Sequence, residues 1–122
     1  MTGSKLIDSS VWLSYLLNGE FQNHIENEDI LLLSVLSIFE IKKKLSKNNF
    51  PLSKISTSLD FIKKRSVLIP ITLDIAEKAV EISLTHNLPA ADSLIYSTSL
   101  LNDSVLYTMD NDFRGLNGVL VL

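Results

Sequence analysis

Residues 88–112, LPAADSLIYSTSLLNDSVLYTMDND, decide how this chain is read. Leu88–Pro89 breaks whatever precedes it. Pro89 then opens a helix to about Leu101, at a position where its missing N–H costs nothing. A strand follows over Ser104–Tyr107, and then a polar turn over Thr108–Arg114. Two acids stand out. Asp92 sits among Ala90, Ala91 and Leu94 in the first turns of the helix, and Asp110 follows directly on the strand VLYTM. A helix that feeds a strand ending at an acid is a unit of α/β architecture, in which sites form beyond the C-terminal ends of the strands.

Working outward, the N-terminus repeats the motif. Lys5–Ile7 is a strand that stops at Asp8, and residues 9–17 (SSVWLSYLL) read as a helix that Asp8 or Ser9 caps. Residues 18–29 are polar, with room for a short helix over 20–27. The run Asp29–Leu33 fits a strand buried on both faces. Residues 35–47 (VLSIFEIKKKLSK) form an amphipathic helix with Ile38, Ile41 and Leu45 on its apolar stripe and lysines towards solvent; Asn48, Asn49 and Pro51 end it. Ser53–Arg65 is another helix, with Ile55, Leu59 and Ile62 inward, followed by a strand over Val67–Ile69. Thr72 caps a helix to about His86, whose inner face is read as Leu73, Ala76, Val80 and Leu84. Gly118–Leu122 is the last strand. Strands alternating with helices give an α/β fold of three layers, with a central, mostly parallel sheet of about five strands.

The bulk properties narrow the class. A chain of 122 residues without repeat or linker is expected to be a single domain, 1–122, with a core of its own. It has no cysteine, which excludes disulfides, zinc–thiolate sites and thiol nucleophiles. The longest apolar stretch, Ile30 to Phe39, is interrupted by Ser34 and Ser37 and is too short to span a bilayer. MTGSKLIDSS has no signal-peptide core, so no membrane role and a cytoplasmic location are expected. The net charge of −3 argues mildly against a general nucleic-acid coat, yet the basic residues cluster at Lys42, Lys43, Lys44 and Lys47 and at Lys63, Lys64 and Arg65.

The carboxylates carry the chemistry. Asp8 and Asp110 follow strands, while Glu40 (between Phe39 and Ile41) and Asp92 lie inside apolar helices. Acids embedded in apolar elements must pair, hydrogen-bond or bind metal, because burying a lone charge is costly. Hard divalent cations take oxygen ligands, and one or two of them activate water and neutralise a departing phosphate oxygen. Each acid also has a plainer reading. Asp8 is a good N-cap and Asp92 suits a helix dipole. Glu40 has Lys43 and Lys44 one turn on, and Asp110 sits in a turn. The case rests on their joint placement.

Four blocks then resemble the PIN-domain family, and most closely its compact VapC-type toxins: LIDSSVWL (6–13), LSVLSIFEIKKKL (33–45), LPAADSLIYSTSL (88–100) and VLYTMDNDFRGLNGV (105–119). They cover nearly the whole chain in family order. The resemblance implies a PIN-like parallel sheet between helices, an acidic pocket for Mg²⁺ or Mn²⁺, and cleavage of single-stranded RNA. It also implies a homodimer silenced by a cognate antitoxin that enters the active-site groove. Carried onto this chain, Asp8, Glu40, Asp92 and Asp110 form the acidic quartet, and Asp112 adds a ligand or a water contact. Ser9 and Thr108 support the site by hydrogen bonding.

Other features are weighed against these. Lys42, Lys43, Lys44 and Lys47 either guide RNA phosphates or form a solvated helix face. His24 and His86 have no expected chemical role. Trp12, Leu13, Tyr15 and Leu16 are core by default and a dimer surface otherwise, and Phe113 packs under the acidic turn. No GxSxG, GxxxxGK[ST] or GxGxxG occurs. The competing functions are a noncatalytic PIN-like scaffold that binds RNA or protein, and a receiver-like signalling module. The latter lacks an acidic pair before the first helix and a Lys on the last strand.

Overall fold

A computed structural model describes residues 3–122. The elements run β1 (Lys5–Ile7), α1 (Ser9–Asn18), α2 (Gln22–Ile25), β2 (Leu31–Ser34), α3 (Val35–Lys47), α4 (Leu52–Arg65), β3 (Ser66–Ile69), α5 (Leu73–His86), α6 (Ala90–Leu101), β4 (Val105–Thr108) and β5 (Val119–Val121), with one 3₁₀ turn at Asn111–Phe113. The five strands form one sheet in the order β3-β2-β1-β4-β5. All four pairings are parallel. This is the expected three-layer α/β/α arrangement. A receiver-type sheet places β1 between β2 and β3, so the strand order here removes that reading.

Strand alternation builds the two cores. Ile7, Leu31 and Leu33 point to one face and pack with Val11, Trp12, Ile41, Leu45, Ile55 and Ile62 from α1, α3 and α4. Leu6, Leu32 and Leu106 point to the other face, under Ile82, Leu88, Ile95 and Tyr96 of the α5–α6 side, with Phe113 closing one end. A one-residue slip would exchange these two sets, so the register is fixed by burial on both faces. Trp12 is fully buried, so the default core reading of that residue holds.

Several boundaries differ from the sequence reading, for local reasons. β2 begins at Leu31 rather than Asp29, because Asp29 turns to pair with Lys5 and Ile30 is exposed. The strand continues through Ser34, whose hydroxyl accepts the Leu36 N–H at 3.2 Å and caps α3. β4 spans Val105–Thr108, one residue later than expected, which brings Thr108 into the sheet. Pro89 is the N-cap of α6 rather than its first helical residue.

The inner face assigned to α5 is wrong. Leu73, Val80 and Leu84 are exposed, and the buried residues are Ile75, Ala79 and Ile82. The helix carries two apolar stripes, each with helical spacing, and periodicity alone cannot rank them. The Ile75 stripe faces α6, where the buried Ser97 hydroxyl donates to the Ile75 carbonyl at 2.8 Å. The other stripe borders an apolar groove of about 310 Å³ between α5 and α6.

Arg65 is structural. Its guanidinium donates to the carbonyls of Ile25, Asn27 and Asp29, tying the end of α4 to the loop before β2. His24 packs by Tyr107 and Phe21, and His86 packs by Tyr96. Among the described residues, no helix is long and apolar enough to cross a membrane.

Candidate active site

β1 lies between β2 and β4, so its C-terminal end opens at the point where the sheet's winding direction reverses. Asp8 leaves β1 there and is itself buried. Its Oδ1 accepts the Ser9 N–H at 2.9 Å, so the capping role is real. Its Oδ2 accepts two hydroxyls, Ser10 Oγ at 2.9 Å and Thr108 Oγ1 at 2.7 Å. Each hydroxyl accepts a backbone N–H in turn, Met109 to Ser10 and Asp110 to Thr108, both at 3.0 Å. The Asp8 carboxylate therefore joins the end of β1 to the loop after β4. Capping and site placement are the same geometry.

Asp110 stands at the head of the 3₁₀ turn and accepts the Asp112 N–H at 2.9 Å. That turn is anchored by Phe113, which is buried below it as expected. Asp92 enters from the first turn of α6. Carboxylate oxygens of Asp92, Asp110 and Asp112 all lie within 4.8 Å of one another. Glu40 comes from the middle of α3, half-buried, and accepts the Ser9 hydroxyl at 3.1 Å. Its plainer reading fails in this structure, because no ion pair links it to Lys43 or Lys44. Among the described residues the one ion pair is Lys5–Asp29.

Among the described residues these five acids have no ion-pair partner, and they disturb one another. Burial pushes the Asp92 carboxyl up to about 6, and Asp110, Asp8, Asp112 and Glu40 add to the shift by repulsion. Burial also raises Asp8, opposed by its bonds from Thr108, Ser10 and Ser9, with Asp110 adding to the rise. Glu40 is raised by burial and by Asp8, against the Ser9 hydrogen bond.

The donor set fits a hard divalent cation. It is all oxygen and carries excess negative charge. Oxygens about 2.1 Å from a shared Mg²⁺ stand no more than about 4.2 Å apart, so only small side-chain rotations would bring the three aspartates onto one ion. The structure thus groups Asp112 tightly with Asp92 and Asp110, while Asp8 and Glu40 flank that cluster. Of the two residues assigned supporting hydrogen bonds, Ser9 donates to Glu40 and Thr108 to Asp8. Ser10 was missed: in DSS either serine could serve, and only the partner 99 residues away at Met109 distinguishes the second. Lys43, Lys44 and Lys47 share a groove with Glu40, and Lys42 lies outside it.

Comparison with known proteins agrees with this fold. The PIN domain family profile matches residues 5–119. No curated protein matches the sequence. A toxin–antitoxin complex from Klebsiella pneumoniae contains a chain of similar fold, with TM-score 0.82 and 22% identity, covering 96% of both chains. A VapBC2 complex from Rickettsia felis bound to a promoter DNA fragment gives 0.80 and 14%, covering 98% of this chain and 97% of that one. The sarcin–ricin-loop-cleaving toxin VapC20 of Mycobacterium tuberculosis gives 0.74 and 14%, covering 94% and 96%. With nearly its whole length matched by the family profile, the chain belongs to the PIN domain family.

Proposed function

We propose that this protein is a Mg²⁺- or Mn²⁺-dependent endoribonuclease that cleaves phosphodiester bonds in single-stranded RNA, and that it is the toxin of a VapBC-type toxin–antitoxin pair. The observation that carries the nuclease reading is the cluster of Asp92, Asp110 and Asp112, with carboxylate oxygens within 4.8 Å and no ion pair to any of them among the described residues, at the open end of β1 and β4. The toxin reading is supported by fold likeness to chains of toxin–antitoxin complexes.

In this reading Asp92, Asp110 and Asp112 hold the cation, with Asp8 and Glu40 completing the negative pocket. The bound cation would supply Lewis-acid activation of water and neutralisation of charge on the phosphate and departing oxygen. The protein's own part is orientation. Thr108 and Ser10 fix Asp8, and Asp110 is placed by its N–H bond to Thr108. Glu40, held by Ser9 outside the three-acid cluster, is the carboxylate assigned to accept the proton of the attacking water.

The whole chain, 1–122, is proposed to act as one cytoplasmic nuclease domain, as a homodimer inhibited by its cognate antitoxin. The exposed stripe of α5, Leu73, Val80 and Leu84, supplies apolar surface for such contacts.

The test is cleavage of a labelled single-stranded RNA by antitoxin-free protein with Mg²⁺ or Mn²⁺, with and without chelator, beside Asp8→Asn. Metal-dependent cutting that disappears in the variant is the expected result. A folded wild type that neither cuts nor binds either ion would leave the noncatalytic scaffold in its place.

A further inference from the structure

Glu40 faces the acidic pocket on one side and an open groove of about 300 Å³ on the other. The groove is lined by Phe39, Glu40, Lys43, Lys44 and Lys47, all from α3. Core contacts of this helix are made by Ser37, Ile41 and Leu45, so Phe39 is not needed to hold α3 in place. The residue is 60% exposed. The Lys43 ammonium sits 5.6 Å from the centre of that ring. None of the three groove lysines has a carboxylate partner among the described residues, and Glu40, one turn before Lys44, is engaged by Ser9 instead. An aromatic ring and three ammonium groups without a carboxylate partner among the described residues, one of them over the ring, therefore share one surface that borders the acidic site through Glu40.

That pairing of chemistries suits an unpaired nucleotide. Bases in single strands stack on aromatic rings, and neighbouring phosphates meet lysines. Lys43, held over the ring by cation–π attraction, keeps its charge beside any base stacked on Phe39 and so near that nucleotide's phosphates. A duplex offers no free base face, and a phosphate alone would not need the ring. We propose that this groove is a nucleotide subsite flanking the scissile bond, in which one unpaired base of the RNA stacks on Phe39 and the phosphates around it lie against Lys43, Lys44 and Lys47. The inference rests on the ribonuclease reading and adds to it a positioning residue, Phe39. It also separates lysines that look alike in sequence, because Lys42 has the same charge on the same helix but lies outside the groove.

The experiment reads binding and turnover separately. Binding of a short labelled single-stranded RNA is followed by fluorescence anisotropy in the cleavage-silenced Asp8→Asn background. Steady-state cleavage is followed in the otherwise native protein. Phe39→Ala, an exposed substitution that leaves the core intact, should weaken binding and raise KM about tenfold with kcat within about twofold, as expected for loss of one stacked base. Phe39→Trp should restore both. An abasic site walked along the RNA should weaken binding to the Phe39-containing protein at one position and have no further effect there on Phe39→Ala. Lys43→Ala should lower the salt slope of binding by about 1, and Lys42→Ala should leave it unchanged. Unchanged KM and binding in Phe39→Ala, or equal slopes for Lys42→Ala and Lys43→Ala, would overturn the subsite while leaving the nuclease reading standing. Loss of antitoxin binding in Phe39→Ala with RNA binding intact would make the groove a protein-docking surface and also overturn it. If the wild type does not cut RNA, the binding measurements still decide the groove, and only the nuclease reading falls.

Discussion

Asp8 and Asp92 flank the same pocket, but the protein treats their carboxylates in opposite ways. Asp8 is met by three donors, Ser9 N–H, Ser10 Oγ and Thr108 Oγ1, at 2.7–2.9 Å. No donor among the described residues meets Asp92, whose neighbours are other acids. Both are raised by burial, yet only Asp8 has hydrogen bonds that offset the cost. The Asp8 side is finished by the polypeptide: it fixes β1 against the loop after β4 before anything binds. The Asp92 side is left with unbalanced negative charge, which under the proposed function a divalent cation would complete. Preorganisation on one side and unbalanced charge on the other are two halves of one device, since an ion binds most tightly where its ligands are fixed and its charge is wanted.

The largest effects should come from removing either half. Asp8→Asn and Asp92→Asn should each lower metal-dependent RNA cleavage by more than about 100-fold, beyond what loss of a supporting contact costs. Circular dichroism should show both variants folded. Cleavage surviving in both would break the assignment. The next effect tests the scaffold side alone: Thr108→Val and Ser10→Ala keep every acid but release Asp8 Oδ2, and each should reduce metal affinity or cleavage by about 10–100-fold. A full-strength Thr108→Val enzyme would mean that Asp8 needs no fixing.

The smallest effect sharpens the comparison by reversing its sign. Asp92 has a folded-state pKa of about 6 against an ordinary 3.8, so without metal the folded protein binds more protons than the unfolded chain between those values. Its contribution to stability is therefore greatest at acid pH and is lost as pH rises through about 6. Asp92→Asn should make the metal-free protein more stable at pH 7, by on the order of 1 kcal/mol after discounting for partial exposure. It should also flatten the fall in Tm between about pH 4.5 and 7. Thermal denaturation in chelator checks this, and a lower Tm for Asp92→Asn would contradict it. Under the proposed function, the acid that activity would require is the acid that stability would discard.

Much of this was legible in the sequence because it is local. β1 and α3 end where the residues said they would, since Asp8 stops a short apolar strand and Ser34 and Asn48 bracket an amphipathic helix. The strand-end acids could be placed for the same reason. What was not legible depends on distant partners. Ser10 is singled out by Met109, and Thr108 meets Asp8 across 100 residues. The buried stripe of α5 is chosen by α6, through Ser97 and Ile75, and not by its own periodicity. The closeness of Asp112 to Asp92 comes from the 3₁₀ turn over Phe113, which the polar run TMDND does not announce. Lys42 and Lys43 are adjacent in sequence, and only the helix's rotation puts one of them in the groove.

The most direct test of the account is calorimetric titration of Mn²⁺ into the RNA-free, antitoxin-free protein at pH 7 and at pH 5, for wild type and Asp92→Asn. The account predicts saturable binding by wild type at pH 7, weakening at pH 5 as Asp92 takes up a proton, and little or no binding by Asp92→Asn. Absence of binding by the wild type, or equal binding by the variant, would contradict the claim that these acids are a cation site.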